Sequence, residues 1–209
     1  MIVIDNVSKT LKGNKVLDNI DYVFEEGKIY GLFGRNGCGK TMFLRMVAGL
    51  IIPDEGTVTI DGNVLHKDIS FPKSTGIVIE HMEMLPEYSA YDNLKILAKI
   101  NKIASDEDII KVIQSVGLDP YSKKKVRKYS LGMKQRLNIA QAIFENQKII
   151  LLDEPTNAID EDGIQLIYKK LKELRADGAT IIMATHNKED IEELCDEIIR
   201  INGGRIVNE

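Results

Sequence analysis

The sequence predicts an α/β fold: a mixed, mostly parallel sheet, an antiparallel β part near its start and a helical subdomain inserted in its middle. Three observations predict it. The apolar run Gly27 to Phe33 leads through a glycine-rich loop into the apolar segment Lys40 to Leu50, a strand, loop and helix in succession. From about Met82 to Glu145 the apolar residues take helical spacing. Beyond them, the strand-like runs Lys148 to Leu152 and Ala179 to Ala184 flank one amphipathic helix, the pattern of a right-handed crossover between parallel strands.

In chain order, Ile2-Val3-Ile4 and Val16 to Phe24 are β-type runs around a polar turn at Lys12-Gly13-Asn14, and Asp21 to Phe24 ends at Glu25-Glu26-Gly27. Lys40 to Leu50 carries Phe43, Leu44, Met46, Val47 and Leu50, a short buried helix ending at Gly49. Pro53 to Gly56 is a turn, and Thr57 to Ile60, Asp61-Gly62 and Asn63 to Leu65 form a hairpin. Gly76 to Ile79 is a buried strand running into Glu80.

Within the helical stretch, Asp92 to Ile103 spaces Leu94, Leu97, Ala98 and Ile100 along one helix. Ser105 to Asp108 caps a second, which carries Ile109, Ile110, Val112, Ile113 and Val116 and closes at Gly117. Leu137 to Phe144 supplies a third apolar face. The crossover helix carries Ile164, Ile167, Tyr168, Leu171 and Leu174 and stops at Gly178. Glu197 to Ile201 and Arg205 to Val207 pair across Asn202-Gly203-Gly204.

The loop Gly34-Arg35-Asn36-Gly37-Cys38-Gly39-Lys40-Thr41 reads G-x-x-x-x-G-K-T, a phosphate-binding pattern. Its three glycines let the backbone turn tightly and aim N–H groups at a phosphate, and the helix that follows adds the partial positive charge of its N-terminus. Lys40 is placed to reach β- and γ-phosphates and the Thr41 hydroxyl to ligate Mg2+. A chance glycine turn is the plain alternative; the flanking strand and helix argue against it. The second decisive stretch, Leu151-Leu152-Asp153-Glu154, sets two carboxylates at the carboxyl end of a strand, where α/β sheets bind ligands. Asp153 is expected to hold Mg2+ through a water, and Glu154, one residue nearer the mouth, to polarise an attacking water. Read alone, the pair has a solvated acidic turn before Pro155 as its plainer, less favoured alternative.

A length of 209 residues, 44% hydrophobic and 29% charged, suits one domain with a substantial core. The net charge of -4 argues against a mainly electrostatic binder, so no nucleic-acid partner is expected. No apolar run nears the roughly 20 residues of a membrane span, and no signal-peptide pattern opens the chain. Cys38 and Cys195 make no disulfide framework, which points to a reducing cytosol. Any membrane role then comes through a partner chain.

Along essentially its whole length the chain resembles the nucleotide-binding subunits of ABC transporters. Asn36 to Thr41 is similar to that family's Walker A loop, and Ile150 to Thr156 to its Walker B strand with the catalytic glutamate. Asn157-Ala158-Ile159-Asp160 resembles the D-loop, with Asp160 at its end, and His186 after Ala184-Thr185 resembles the switch histidine. Tyr129-Ser130-Leu131-Gly132-Met133-Lys134-Gln135-Arg136 resembles the signature L-S-G-G-Q-x-Q-R.

The resemblance implies a P-loop NTPase with a RecA-like core (1–80 and 146–209), the antiparallel β part included, and a helical subdomain at 81–145, together one ATP-binding domain over 1–209. It implies ATP and Mg2+ as cofactors, Lys40, Glu154 and His186 as catalytic residues, and ATP contacts from Gly34 to Met42 and from Leu11. Thr41, Glu80 and Asp153 are the implied metal ligands. Ser130 to Met133 would serve the ATP of a second chain, in a homodimer or a heterodimer with a related subunit. A multi-span membrane permease is the implied partner, holding the chain on the inner face of the membrane. A soluble, non-transport ATPase of repair, translation or cluster assembly is the alternative, and a poorly hydrolysing nucleotide sensor a third reading.

Three departures from the family pattern bear on activity. Leu131 and Met133 replace a glycine and a glutamine; Ser130 and Gly132 remain. Glu80 stands in the Q-loop position, where it adds charge beside a polyphosphate. The aromatic that stacks on adenine is absent, the region reading Lys9-Thr10-Leu11-Lys12, and Leu11 offers no π face. The Ile79-Glu80 and Tyr-Ser-Leu-Gly-Met segments resemble the bacitracin and lantibiotic export branch.

Other features have plainer readings. The basic run Lys123 to Lys128 reads as a solvated face, or as a surface for nucleotide or acidic lipid. Met82, Met84, Leu85, Tyr88 and Tyr91 are a candidate groove for the permease or ordinary subdomain core. His66 and His81 lack metal-like partners, and Cys195 reads as core. Cys38, among converging N–H groups and beside Lys40, is expected to be an activated thiol whose alkylation stops hydrolysis.

Overall fold

The computed structural model describes residues 1–80 and 83–207. The fold is α/β, with two sheets and helices arranged around a central parallel stack. Strands β1 (Ile2–Leu11), β2 (Asn14–Phe24), β4 (Glu55–Ile60) and β5 (Asn63–Val64) form an antiparallel sheet in the order β2-β1-β4-β5. The first hairpin turns at Lys12-Gly13, and β1 is longer than the Ile2 to Ile4 run suggests because register shifts after Ile4 let the irregular stretch to Leu11 stay paired. The predicted hairpin at Asp61-Gly62 forms, pairing Ile60 with Asn63.

The second sheet comprises β3 (Ile29–Phe33), β6 (Thr75–Val78), β7 (Ile149–Asp153), β8 (Thr180–Thr185), β9 (Glu197–Asn202) and β10 (Arg205–Val207), in the order β10-β9-β3-β8-β7-β6. The five strands from β9 to β6 run parallel, and β10 alone pairs antiparallel, at the edge. Both faces of this sheet are covered, which is why its strands are continuous apolar runs and not alternating ones. Ile150 and Leu152 of β7 join one core cluster with Ile181 and Met183 of β8. Ile149, Leu151, Ile182 and Ala184 turn to a second cluster shared with the antiparallel sheet. Helix α1 (Lys40–Val47) contributes Phe43, Leu44, Met46 and Val47 to that second cluster. Each fully buried side chain of this size contributes about 1.5–3 kcal/mol of transfer free energy.

The other face carries helices α2 (Ala90–Asn101), α3 (Asp106–Ser115), α4 (Leu131–Ile143) and α5 (Glu161–Ala176). Helix α2 starts two residues before the expected Asp92, because Ser89 caps it by accepting from the Asp92 N–H. Helix α3 has the predicted cap as a full capping box between Ser105 and Asp108. Helix α6 (Lys188–Leu194) ends at Cys195, which packs over Gly31 of β3; burial pushes that thiol up to about 12. Helix α1 stops at Val47, earlier than Leu50, and Gly49 follows in the left-handed region at φ 75°.

Candidate active site

The loop from Gly34 to Gly39 joins the carboxyl end of β3 to the N-terminus of α1, and the N-cap Gly39 brings no side-chain acceptor to the first turn's N–H groups. The C-terminal hairpin braces this loop from behind. The Gly204 N–H donates to the Cys38 carbonyl at 2.9 Å, and the Asp18 N–H donates to the Gly204 carbonyl at 2.9 Å. Arg205 pairs with the Asp18 carboxylate. Backbones approach so closely here that a Cβ on Gly39 or on Gly204 would each lie 2.8 Å from the Val16 carbonyl oxygen.

In front of the loop is a cavity of about 400 Å3. Asn36, Gly37, Gly39, Lys40, Thr41 and Met42 line it from the loop and helix, Val16 from β2, and Glu80, Asp153 and Glu154 from the strand ends. Lys40 is buried; its Nζ donates to the Gly34 carbonyl at 2.7 Å and lies 4.0 Å from Glu154 Oε1. The Thr41 hydroxyl donates to Asp153 Oδ2 at 2.7 Å, across 112 residues of sequence. Burial pushes the Asp153 carboxyl above its ordinary value, and the carboxylates of Glu154 and Glu80 add to the shift; the Thr41 hydroxyl and Lys40 oppose it. Glu80 is also ion-paired with Arg45 of α1.

The donors Thr41, Asp153 and Glu80 are hard oxygens, and the carboxylate crowding they produce is what a bound cation relieves. Among the described residues no three His, Cys, Asp or Glu cluster as a full metal site. One hydroxyl and two carboxylates are the kind of donor that Mg2+ takes from a protein, so Thr41, Asp153 and Glu80 fit that ion.

Glu154 sits in the left-handed region at φ 47°, its N–H donating to the Ala184 carbonyl at 2.8 Å. This tie crosses from the end of β7 to the end of β8, and it aims the carboxylate at the histidine that follows β8. Glu154 Oε2 and His186 Nδ1 are 2.8 Å apart. Two residues 32 apart in sequence thus meet as a hydrogen-bonded pair at the edge of the cavity. From α4, Gln135 donates to the carbonyls of Glu154 at 3.3 Å and Pro155 at 3.2 Å, so the helix behind Ser130 is fastened to the Glu154 turn.

Ser130, Leu131, Gly132 and Met133 do not line this cavity; they form the start of α4. The Ser130 hydroxyl accepts from the Met133 N–H at 3.2 Å as the helix N-cap, and Leu131 is 68% exposed. Gly132 lies against the backbone of Ala158 and Ile159, a contact that a side chain would block, so α4 and the segment ahead of α5 are one packed unit. Asp160 is the exposed N-cap of α5.

Several expectations need correction or refinement. The Cys38 thiol does not face the phosphate side: the residue is buried, its sulfur beside Gly34 and within the core cluster that holds Ile201. The side chain packs into the core, where burial shields the thiol from the exposed, activated position expected of it. Leu11, at the end of β1, is not in the cavity wall; Val16 is, a residue that only tertiary folding brings there. Leu85 and Tyr88 are exposed, whereas Met84 and Tyr91 pack on the helical core; Met82 and His81 lie outside the described residues. In the basic run, Lys125 and Arg127 pair with Glu87 on the surface.

Comparison with known proteins agrees with this geometry. The family model described as ABC transporter matches residues 17–157. The chain is 59% identical over 206 residues to the uncharacterized ABC transporter ATP-binding protein YybJ of Bacillus subtilis (strain 168), covering 99% of this chain and 94% of the relative. It is 33% identical over 210 residues to the lantibiotic transport ATP-binding protein SrtF of Streptococcus pyogenes, covering 100% of this chain and 90% of the relative. Among solved structures, the dimeric post-hydrolysis state of the ATP-binding cassette MJ0796, bound to ADP and Pi, superposes with a TM-score of 0.89 at 26% identity, covering 100% of this chain and 97% of that one. With the family model spanning most of the chain and its relatives matching end to end, the protein belongs to the ATP-binding proteins of the ABC transporter family.

Proposed function

We propose that this chain is the ATP-hydrolysing motor subunit of a transporter, and that its single domain, 1–209, divides into the ATP-binding core and the helical subdomain at 81–145. The observation that carries the catalytic part is the Glu154–His186 hydrogen bond at 2.8 Å, beside a cavity that also holds Lys40, Thr41 and Asp153. The loop N–H groups and Lys40 hold the β- and γ-phosphates; Lys40 exchanges its loop carbonyls for phosphate oxygens. Thr41 and Asp153, with Glu80 at the rim, would hold Mg2+, whose charge would offset that of the phosphates. Glu154, held by His186, orients the attacking water and takes its proton.

In this reading the exposed start of α4 serves the nucleotide of a second chain. Ser130 and the free N–H groups of that helix meet the γ-phosphate there. ATP closes the dimer, hydrolysis opens it, and the movement passes to a membrane permease. Among the described residues no helix is long and apolar enough to cross a membrane, so a separate permease would hold the subunit on the cytoplasmic face. Likeness to a lantibiotic transport ATP-binding protein supports export of antimicrobial peptides as the cargo class.

Glu154→Gln tests the assignment. Turnover should fall at least about 100-fold while ATP still binds, and ATP should trap a dimer visible by size-exclusion chromatography. Undiminished turnover rejects Glu154 as the base.

A further inference from the structure

Asp190, in the first turn of α6, is fully buried, yet it lies outside the cavity. Among the described residues its carboxylate is held by three hydroxyls and by no basic side chain. Thr156 donates to Oδ2 at 2.9 Å, Thr185 donates to Oδ2 at 2.7 Å, and Tyr168 of α5 donates to Oδ1 at 2.6 Å. Burial pushes the Tyr168 hydroxyl up, and its bond to Asp190 adds to that. A buried carboxylate is costly unless its oxygens are satisfied, so its presence needs a reason beyond packing.

The positions of its partners supply the reason. Thr156 lies two residues after Glu154, and Thr185 lies one before His186. The Thr185 oxygen, while donating to Asp190, also accepts from the Asn187 N–H at 3.0 Å, so the backbone on both sides of His186 is tied to one hydroxyl. On the other side, the Asn157 N–H donates to the Glu154 carbonyl at 3.3 Å and the Ile159 N–H to the Thr156 carbonyl at 3.2 Å. Asp190 therefore grips, through one oxygen atom, the two segments that carry the two members of the 2.8 Å pair.

We propose that Asp190 is a positioning residue that sets the distance between Glu154 and His186 by clamping Thr156 and Thr185. This rests on the reading of Glu154 and His186 as the working pair. Tyr168 extends the clamp to α5, whose N-cap is Asp160, so the same carboxylate ties the pair to the segment that packs on Gly132 at the start of α4. A displacement of about 1 Å in a reacting pair is enough to lower a rate by roughly two orders of magnitude.

Thr156→Val and Thr185→Val remove one hydroxyl each at nearly constant volume. Each should lower kcat roughly 10- to 100-fold and leave the ATP Kd and the KM within about threefold. Asp190→Asn should retain most of kcat, because its amide oxygen still accepts from both threonines and its amide nitrogen donates to the tyrosine oxygen. Independently of turnover, the imidazole nitrogen NMR signals of His186, assigned with His186→Gln, should show the bond to Glu154 lost in Thr185→Val and kept in Asp190→Asn.

Threonine variants with lowered melting temperature but unchanged kcat and an intact imidazole signal would reduce Asp190 to a packing residue. Asp190→Asn as damaged as the threonine variants would overturn the clamp by the opposite route. Should Glu154→Gln itself turn over normally, the functional reading fails, and the imidazole signal still decides whether the clamp exists.

Discussion

At the scale of single residues, the electrostatics of the cavity turn on Asp153. Its carboxyl is pushed up by burial and by the neighbouring Glu154 and Glu80 carboxylates, so its ionised form opposes folding when no cation is bound. A carboxyl whose folded pKa exceeds its unfolded one contributes most stability while protonated, and that contribution is lost as pH rises through the folded value. Asp153→Asn should therefore raise the melting temperature of the nucleotide-free protein at pH 8, with the gain shrinking toward the ordinary carboxylate range near about pH 4. Mg2+ with ATP should stabilise the parent and not the variant. Thermal melts across that pH range check both, and a variant less stable at pH 8 contradicts the assignment. Thr41 and Asp153 were readable as candidates from two short motifs, because each motif's chemistry is local. The inward turn of Cys38 was not, because the direction of a side chain on a tight loop depends on the core that packs against it.

At the scale of elements, the phosphate loop depends on a hairpin 165 residues away, the span from Gly39 to Gly204. Gly204 has φ 79°, and a Cβ there would lie 2.8 Å from the Val16 carbonyl, whereas a Cβ on neighbouring Gly203 meets nothing within 4 Å. Gly204→Ala should destabilise the fold by about 1–3 kcal/mol and weaken nucleotide binding several-fold, since the brace on the Cys38 carbonyl is displaced. Gly203→Ala should have the smaller effect on binding. Urea unfolding and titration with a fluorescent nucleotide measure the two, and equal effects of both substitutions would remove the brace. The strand and helix runs, the cap at Ser105 and the turn at Asp61-Gly62 were legible because period, capping and turn chemistry act within a few residues. The brace was not: both glycines were read only as a hairpin turn, and the contact that gives Gly204 its role is non-local.

At the scale of the whole molecule, the start of α4 and the phosphate cavity are separate surfaces of one chain, which is what a site completed by a second chain requires. Lys40→Ala spoils the loop and leaves the α4 start intact; Ser130→Arg does the reverse. Each variant alone should be inactive. Mixed together they should regain activity, because in a mixed dimer one site combines the good loop of one chain with the good α4 start of the other. A steady-state ATPase assay over mixing ratios reads this, and a mixture as inactive as its components would argue for self-contained sites. By itself the sequence determined the α/β class, the phosphate loop, the acidic strand end and the family, because glycine spacing, apolar periodicity and short motifs are local statements. Only the tertiary structure decided that Glu154 meets His186, that Val16 and not Leu11 walls the cavity, and that one buried Asp190 ties Thr156 to Thr185. Glu154 and His186, like Thr156 and Thr185, stand at or just beyond the ends of β7 and β8. Those strands are neighbours only once the parallel order β3-β8-β7 is formed, so these links are set by strand order and not by sequence distance.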